Sequence, residues 1–115
     1  MTFNVEKCTK LLTDSLPPTT LRVFFFLALN IHEQTGFVRI TKKYLAQMLK
    51  LDAKSLYRAL KWLQDNYIVH QTRCHGFFEF MISPYFVEWG DDKKSRIDEW
   101  NRRWADFGKV RNKSR

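Results

Sequence analysis

The chain has 115 residues, 44 % hydrophobic and 16 % aromatic, with only 4 Gly and 3 Pro. That supports one domain with a single modest core and excludes a disordered or fibrous chain. The net charge of +8, from 20 Lys+Arg against 12 Asp+Glu, favours polyanionic partners, nucleic acid before an anionic membrane surface, because each neutralised phosphate releases condensed counterions.

Val5, Cys8, Leu12 and Leu16 space a short amphipathic helix, closed by Pro17-Pro18. Its first residues, MTFNVEKCTKLLTDS, lack an apolar signal core, and the expectation is a soluble, cytoplasmic protein whose Cys8 and Cys74 stay reduced. A second helix follows the prolines, capped by Thr19 or Thr20 and running to about His32. Leu21, Phe24, Leu27, Ala28 and Ile31 share one of its faces. Val23, Phe25, Phe26 and Leu29 make its other sides apolar, so it is expected to be covered on more than one side. A buried strand through VFFFLAL is the competing assignment, and the run is too short to span a bilayer.

Gln34-Thr35-Gly36 reads as a turn and Phe37–Ile40 as a short strand. Thr41 then caps a helix over Lys42–Leu49, with Leu45, Met48 and Leu49 inward. Lys50-Leu51-Asp52 breaks it, and Asp52 caps a third helix from Ala53 to about Asn66. Leu56, Ala59, Leu60 and Leu63 fall at i, i+3, i+4 and i+7 of that helix, as an inward stripe requires. Ile68–Thr72 and Phe77–Ile82 read as strands joined around Arg73-Cys74-His75-Gly76. After Ser83-Pro84 and a turn at Gly90-Asp91-Asp92, with the two aspartates as caps, a last helix spans about 92–107. It carries an a/d-like stripe of Ile97, Trp100, Trp104 and Phe107. The tail, 108–115, is basic and expected to be disordered, with Lys109, Arg111, Lys113 and Arg115 adding non-specific phosphate affinity.

Strand, helix, tight break, helix and hairpin make a mainly α (α+β) winged helix-turn-helix with extra N- and C-terminal helices. A single domain, 1–107, holds the helix-turn-helix at about 41–66 and the wing at about 67–82. The core spacing resembles the winged helix-turn-helix pattern of many bacterial regulators, in which a small residue sits where the two helices touch, and the resemblance gives that place to Ala46. Opposite the apolar stripe of the third helix stand Lys54, Ser55, Tyr57, Arg58 and Lys61. Between Thr41 and Leu63 six bases face one acid, Asp52, where a merely solvated face would mix signs. The predicted activity is therefore sequence-specific binding of double-stranded DNA. Arg58 and Lys54 are the candidates for base contact, and Tyr57 and Ser55 for base or phosphate. Lys42, Lys43 and Lys61 are candidates for phosphate. Arg73 and His75, at the wing tip, either reach an adjacent groove or form an ordinary polar turn. Trp62 is expected to pack beneath the C-terminal segment.

Other chemistry finds little support. Cys74-His75, with Cys8 and His70 as the conceivable further ligands, lacks the spacing of a structural zinc site, so no metal is expected. There is no phosphate-cradling glycine loop, and His32 reads as a helix C-cap. No enzyme activity and no cofactor are predicted.

The segment from about Arg39 to Trp104 resembles the RepL-type plasmid replication proteins of Firmicutes. The resembling words are ITKKYLAQMLKLDAKSLYRALKWLQDNYIV and, after the hairpin, FEFMISPYFVEWGDDKK. The second contains Ile82-Ser83-Pro84…Gly90, with Ser83 where that family usually has Asn. The resemblance implies a plasmid or phage replication initiator that binds origin DNA without nicking it, nucleoid or plasmid associated, with host replication or transcription proteins as further partners. A transcriptional repressor with the same DNA chemistry, and a winged-helix protein-interaction module, are the alternatives. A homodimer is expected, with the stripe of Ile97, Trp100, Trp104 and Phe107 or the all-round apolar helix at Val23–Leu29 as its interface; packing of the two on each other within one chain is the competing outcome.

Overall fold

The computed structural model describes residues 1–113 except 15, 33 and 91, and side chains as far as residue 105. Four helices begin where a short polar side chain serves the free amides of the first turn. Asn4 Oδ1 accepts from Lys7 N (3.0 Å) at α1 (Val5–Thr13). Thr41 Oγ1 accepts from Tyr44 N (3.0 Å) at α3 (Lys42–Leu49). Asp52 Oδ1 accepts from Ser55 N (2.6 Å) at α4 (Ala53–Asp65). Asp92 Oδ1 accepts from Ser95 N (3.0 Å) at α5 (Lys93–Lys113); Asp91 lies outside the described residues. Helix α2 (Pro18–Leu29) starts differently. Pro17 stands at its N-cap with no side-chain bond, so neither Thr19 nor Thr20 caps it. It also stops short of His32, because Asn30 closes it, its amide Nδ2 donating to Phe26 O at 2.7 Å. His32 sits instead in the following turn, where its Nδ1 accepts from Thr35 N at 3.4 Å.

The segment VFFFLAL is helical. Val23, Phe24, Leu27 and Ala28 are fully buried, Phe25 and Phe26 half-buried, and Leu29 exposed. Cover therefore wraps most of α2 but not its C-terminal end. Helix α1 turns a different face inward from the one its spacing predicts: Cys8 and Leu11 are buried, whereas Val5 and Leu12 are 76 % and 58 % exposed. Its rotation is set from outside the helix. The ribbon of β1 (Thr2–Phe3) with β5 (Val87–Glu88) fixes Phe3 opposite Val87, and Asn4 N donates to Phe86 O at 2.8 Å. In α3, Leu45 and Leu49 fill the inward face and Met48 stays half-exposed, outside it.

The main sheet is antiparallel in the order β2-β4-β3, from Phe37–Ile40, Phe77–Ile82 and Val69–Cys74. Strand β3 runs to Cys74 rather than Thr72, because Gly76 takes the positive φ (+77°) that lets His75-Gly76 alone close the hairpin. Alternation along the strands sends Val38, Phe80 and Ile82 toward α2 and α4, and Arg39, Glu79 and Thr72 to the other face. Helix α5 covers that second face. Arg103 donates to Glu79 Oε1 (2.6 Å) and Thr72 Oγ1 (3.0 Å), and its guanidinium lies 4.3 Å from the Phe37 ring centroid. Trp104 meets Tyr67, His70 and Trp100 edge-on at 4.7, 4.9 and 5.6 Å.

This packing corrects the expected dimer interface. Trp100 is 4 % exposed in the single chain and Trp104 is partly buried against the same core, so both are committed internally. Ile97 is half-buried, and the side chain of Phe107 lies outside those described. The backbone of α5 also continues past its expected end at Phe107, through Gly108 to Lys113, where the tail 108–115 was predicted to be disordered. No proline interrupts the run, and each added residue adds one hydrogen bond. Residues 114 and 115 lie outside the described residues.

Gly36 joins this frame to the β5 segment. Its φ is +77°, and a Cβ there would lie 2.3 Å from Trp89 Nε1. Trp89 is itself buried. Gly36→Ala is therefore expected to cost about 1–3 kcal/mol, combining left-handed strain with overpacking. A urea midpoint indistinguishable from that of the parent would refute the close approach.

Candidate nucleic-acid interface

The reversal between α3 and α4 is made without glycine. Lys50 adopts a left-handed conformation (φ +54°), and Leu51 N donates to Ala46 O at 2.9 Å, satisfying a carbonyl that the helix end leaves free. Arg22 of α2 closes the same end, its Nη2 donating to Leu49 O at 2.6 Å. Two ties from different elements thus hold the turn on which the direction of α4 depends. Leu56, Ala59, Leu60 and Leu63 are all buried, as their spacing predicts. This is a winged helix-turn-helix: α3, tight turn, α4, then the β3-β4 hairpin.

With its apolar stripe buried, α4 leaves Lys54, Tyr57, Arg58 and Lys61 exposed and Ser55 half-buried. Ser55 is partly spent, since its amide and hydroxyl serve Asp52. Those bonds, with a smaller contribution from the Arg58 charge, hold the Asp52 carboxyl below its ordinary range. The one acid of the segment therefore stays ionised as a helix cap. Lys61 Nζ pairs with Asp65 Oδ2 at 2.8 Å, so a phosphate would have to compete with an intrahelical partner.

Lys42 links the helix-turn-helix to the wing. Its ammonium lies 4.2 Å from the ring centroid of Phe78 on β4, and burial, then the Arg73 charge, pulls its pKa below the usual lysine value. Two clefts meet at this residue. One, of about 640 Å³ between α3 and α4, has an apolar floor that includes Ala46 and Leu56, rimmed by Lys42, Lys43 and Lys50. The other, of about 260 Å³, brings Lys42, Tyr57, Lys61 and Gln71 together where α3, α4 and β3 meet. Of the residues singled out by sequence, Lys42, Lys43, Tyr57 and Lys61 line these clefts, while Lys54 and Arg58 stand on the exposed side of α4. Arg73 is exposed near the hairpin end and His75 at its tip.

Lys50 rims the cleft between α3 and α4, although sequence counted it only among the six bases of the segment and gave it no contact of its own; its place in the turn between two lysine-bearing helices was the available signal. Trp62 is half-buried against the core. The sulfur of Cys8 faces Phe86 O at 3.7 Å, whereas Cys74 lies on β3, and among the described residues no cluster of His, Cys, Asp or Glu gathers as a metal site. No described helix is long and apolar enough to cross a membrane.

No family model matches the chain, and no curated protein matches it. The RepL-type resemblance therefore extends no further than the residues that carry it. Among solved structures, the chain is similar to a possible transcriptional regulator from Methanosarcina mazei Go1, at 21 % identity over 97 % of this chain and 88 % of that one, with a TM-score of 0.48. It is also similar to Pex from Synechococcus sp., at 22 % identity over 86 % of this chain and 96 % of that one, with a TM-score of 0.39. The winged-helix assignment rests on the chain's own element order and sheet topology.

Proposed function

We propose that this protein binds double-stranded DNA sequence-specifically and regulates transcription, with α4 entering the major groove. The observation that carries the reading is the composition of one surface. Lys54, Tyr57, Arg58 and Lys61 project from α4 beside Lys42, Lys43 and Lys50 of α3 and the turn, and the nearest acid, Asp52, is occupied as a cap. In this arrangement Arg58 and Lys54 read base edges, and Lys42, Lys43 and Lys50 hold phosphates.

Origin binding, the role implied by the RepL-type resemblance, has its particular support in the Ile82-Ser83-Pro84…Gly90 segment. That segment has an architectural use. Ser83 is buried, its Oγ accepts from Tyr85 N at 3.2 Å, and its carbonyl accepts from Phe86 N at 3.0 Å, which routes the chain from β4 into β5. Regulation of transcription is accordingly the reading adopted.

Selection from a random duplex library, with Lys54→Ala and Arg58→Ala in parallel, tests it. A discrete motif is expected, and each substitution should weaken binding by about 1–3 kcal/mol while blurring one position. Lys43→Ala should instead weaken all sequences alike and lower the salt slope by about 1. Motif sites at promoters would support regulation, and sites at replication origins would move the assignment to initiation. Absence of any motif, or indifference to both α4 substitutions, would refute base reading and leave a protein-interaction module.

A further inference from the structure

A second concave surface lies away from the lysine clefts. It runs along β2, the edge strand of the sheet, between the C-terminal end of α2 and the side of α3 that carries Tyr44 and Met48. It shares no lining residue with the cleft between α3 and α4. Its volume of about 680 Å³ is that of a site for one small molecule, and its wall is largely aromatic and apolar, through Phe26, Tyr44, Met48 and Phe77. Tyr44 and Met48 are 50 % and 51 % exposed although both are large and apolar.

Most polar groups of this groove are already engaged with nearby backbone. Asn30 Nδ2 donates to Phe26 O, and His32 Nδ1 accepts from Thr35 N. Thr35 Oγ1 accepts from Phe37 N, and Thr41 Oγ1 accepts from Tyr44 N. Arg39 differs. Its Nε donates to Glu79 Oε2 at 2.9 Å, which fixes the guanidinium plane, and among the described residues neither Nη group has a partner. Glu79 is shared with Arg103, so the Arg39 charge is only partly answered; its guanidinium lies 6.0 Å from the Phe37 ring centroid and its side chain is 53 % exposed. No described acid lines the groove. An aromatic wall with one oriented guanidinium fork matches an anion that is planar at its head and apolar behind it.

We propose that this groove binds a small apolar carboxylate, with its head on the Nη groups of Arg39 and its body against Phe26, Tyr44, Met48 and Phe77. The cationic fork distinguishes this occupant from a neutral apolar molecule. The site is independent of the DNA reading, and its occupancy is measured without DNA.

Naphthylacetate is a suitable probe, titrated by calorimetry into the full chain, with naphthylethanol as its uncharged counterpart. Saturable binding with a Kd on the order of 0.1–1 mM is expected for a ligand of this size. The alcohol should bind at least tenfold more weakly. Arg39→Gln should weaken naphthylacetate at least tenfold while Arg103 continues to hold Glu79. Met48→Glu, at a half-exposed position that does not threaten folding, should abolish binding by placing like charge in the groove. Absence of saturable heat, equal binding of acid and alcohol, or indifference to both substitutions would overturn the proposal. So would a doubled mass in light scattering that Met48→Glu restores to the monomer, since that would give the groove to a second copy of the chain.

Discussion

Glu79→Ala is expected to destabilise the fold by about 3–5 kcal/mol, because it strands charge that the folded chain has taken out of water. Glu79 is 8 % exposed and answers two guanidinium groups, Arg39 Nε at 2.9 Å and Arg103 Nη2 at 2.6 Å. The Arg103 side chain is only 13 % exposed. Its Nε also pairs with Glu99 Oε1 at 2.9 Å, but the Glu99 carboxylate is shared with Arg102. Removing Glu79 would leave Arg103 desolvated with half of its answering charge, and Arg103 is the residue that pins α5 to the sheet. Loss should therefore show first as detachment of α5, read by the fluorescence of Trp100 and Trp104, and then as a lower urea midpoint. Pairing Glu79→Met with Arg103→Met should recover most of the loss, since an apolar pair of similar volume needs no compensation. A cost below about 1 kcal/mol for Glu79→Ala would mean that the network contributes no more than an exposed ion pair.

That network was hidden in the sequence for a definable reason. FFEFMI holds a single acid among five apolar residues, and a lone strand carboxylate by default marks a solvated face. Only α5, which arrives much later in the chain, turns that face into an interior. The same non-local dependence explains α1, whose orientation is imposed by a ribbon of two two-residue strands that are too short to leave a periodic signal. The aromatic stripe of α5 was legible as a buried face, but periodicity does not say what covers it. At Trp104 the covering groups are Tyr67 and His70 of the same chain.

The helix-turn-helix, by contrast, was legible at its caps and in the stripe of α4, though not at Met48, which the spacing of α3 turned inward and the fold leaves half-exposed. Thr41 and Asp52 cap within one turn of themselves, and Leu56, Ala59, Leu60 and Leu63 declare their common face through spacing alone. The candidate DNA surface inherits that clarity because it is the complement of a local stripe. Lys42 shows the limit of this reasoning. Its spacing marks it as an exposed first-turn lysine, yet it lies over Phe78, and burial, then the charge of Arg73 from the wing, lowers its pKa. What depends on neighbours in sequence was readable, and what depends on the wing or α5 was not.

His70 gives the second large effect, through pH. On sequence it was a conceivable metal ligand; in the fold it is 6 % exposed, beside Trp104, with Thr72 Oγ1 3.5 Å from its Nδ1. Burial, and then the nearby Arg103 charge, lowers its pKa from 6.5 to about 4. Between those values the unfolded chain binds the more protons, so the stability held in the neutral imidazole is complete above pH 6.5 and drains as pH falls toward 4. At about 1.4 kcal/mol per tenfold difference, the full gap is a little over 3 kcal/mol, which solvent reaching the ring edge trims to about 2. Asp52, Asp92 and Glu99, all held below their ordinary carboxylate values, lose their contributions only at lower pH. The two effects therefore separate along the pH axis. Thermal melts of the parent should fall appreciably from pH 7 to pH 5, and His70→Gln, which keeps a polar side chain without a titrating ring, should flatten that interval while leaving the steeper acid limb below pH 4. Parallel curves for the two proteins from pH 7 to pH 5 would show that the imidazole is not held neutral by the α5 contact.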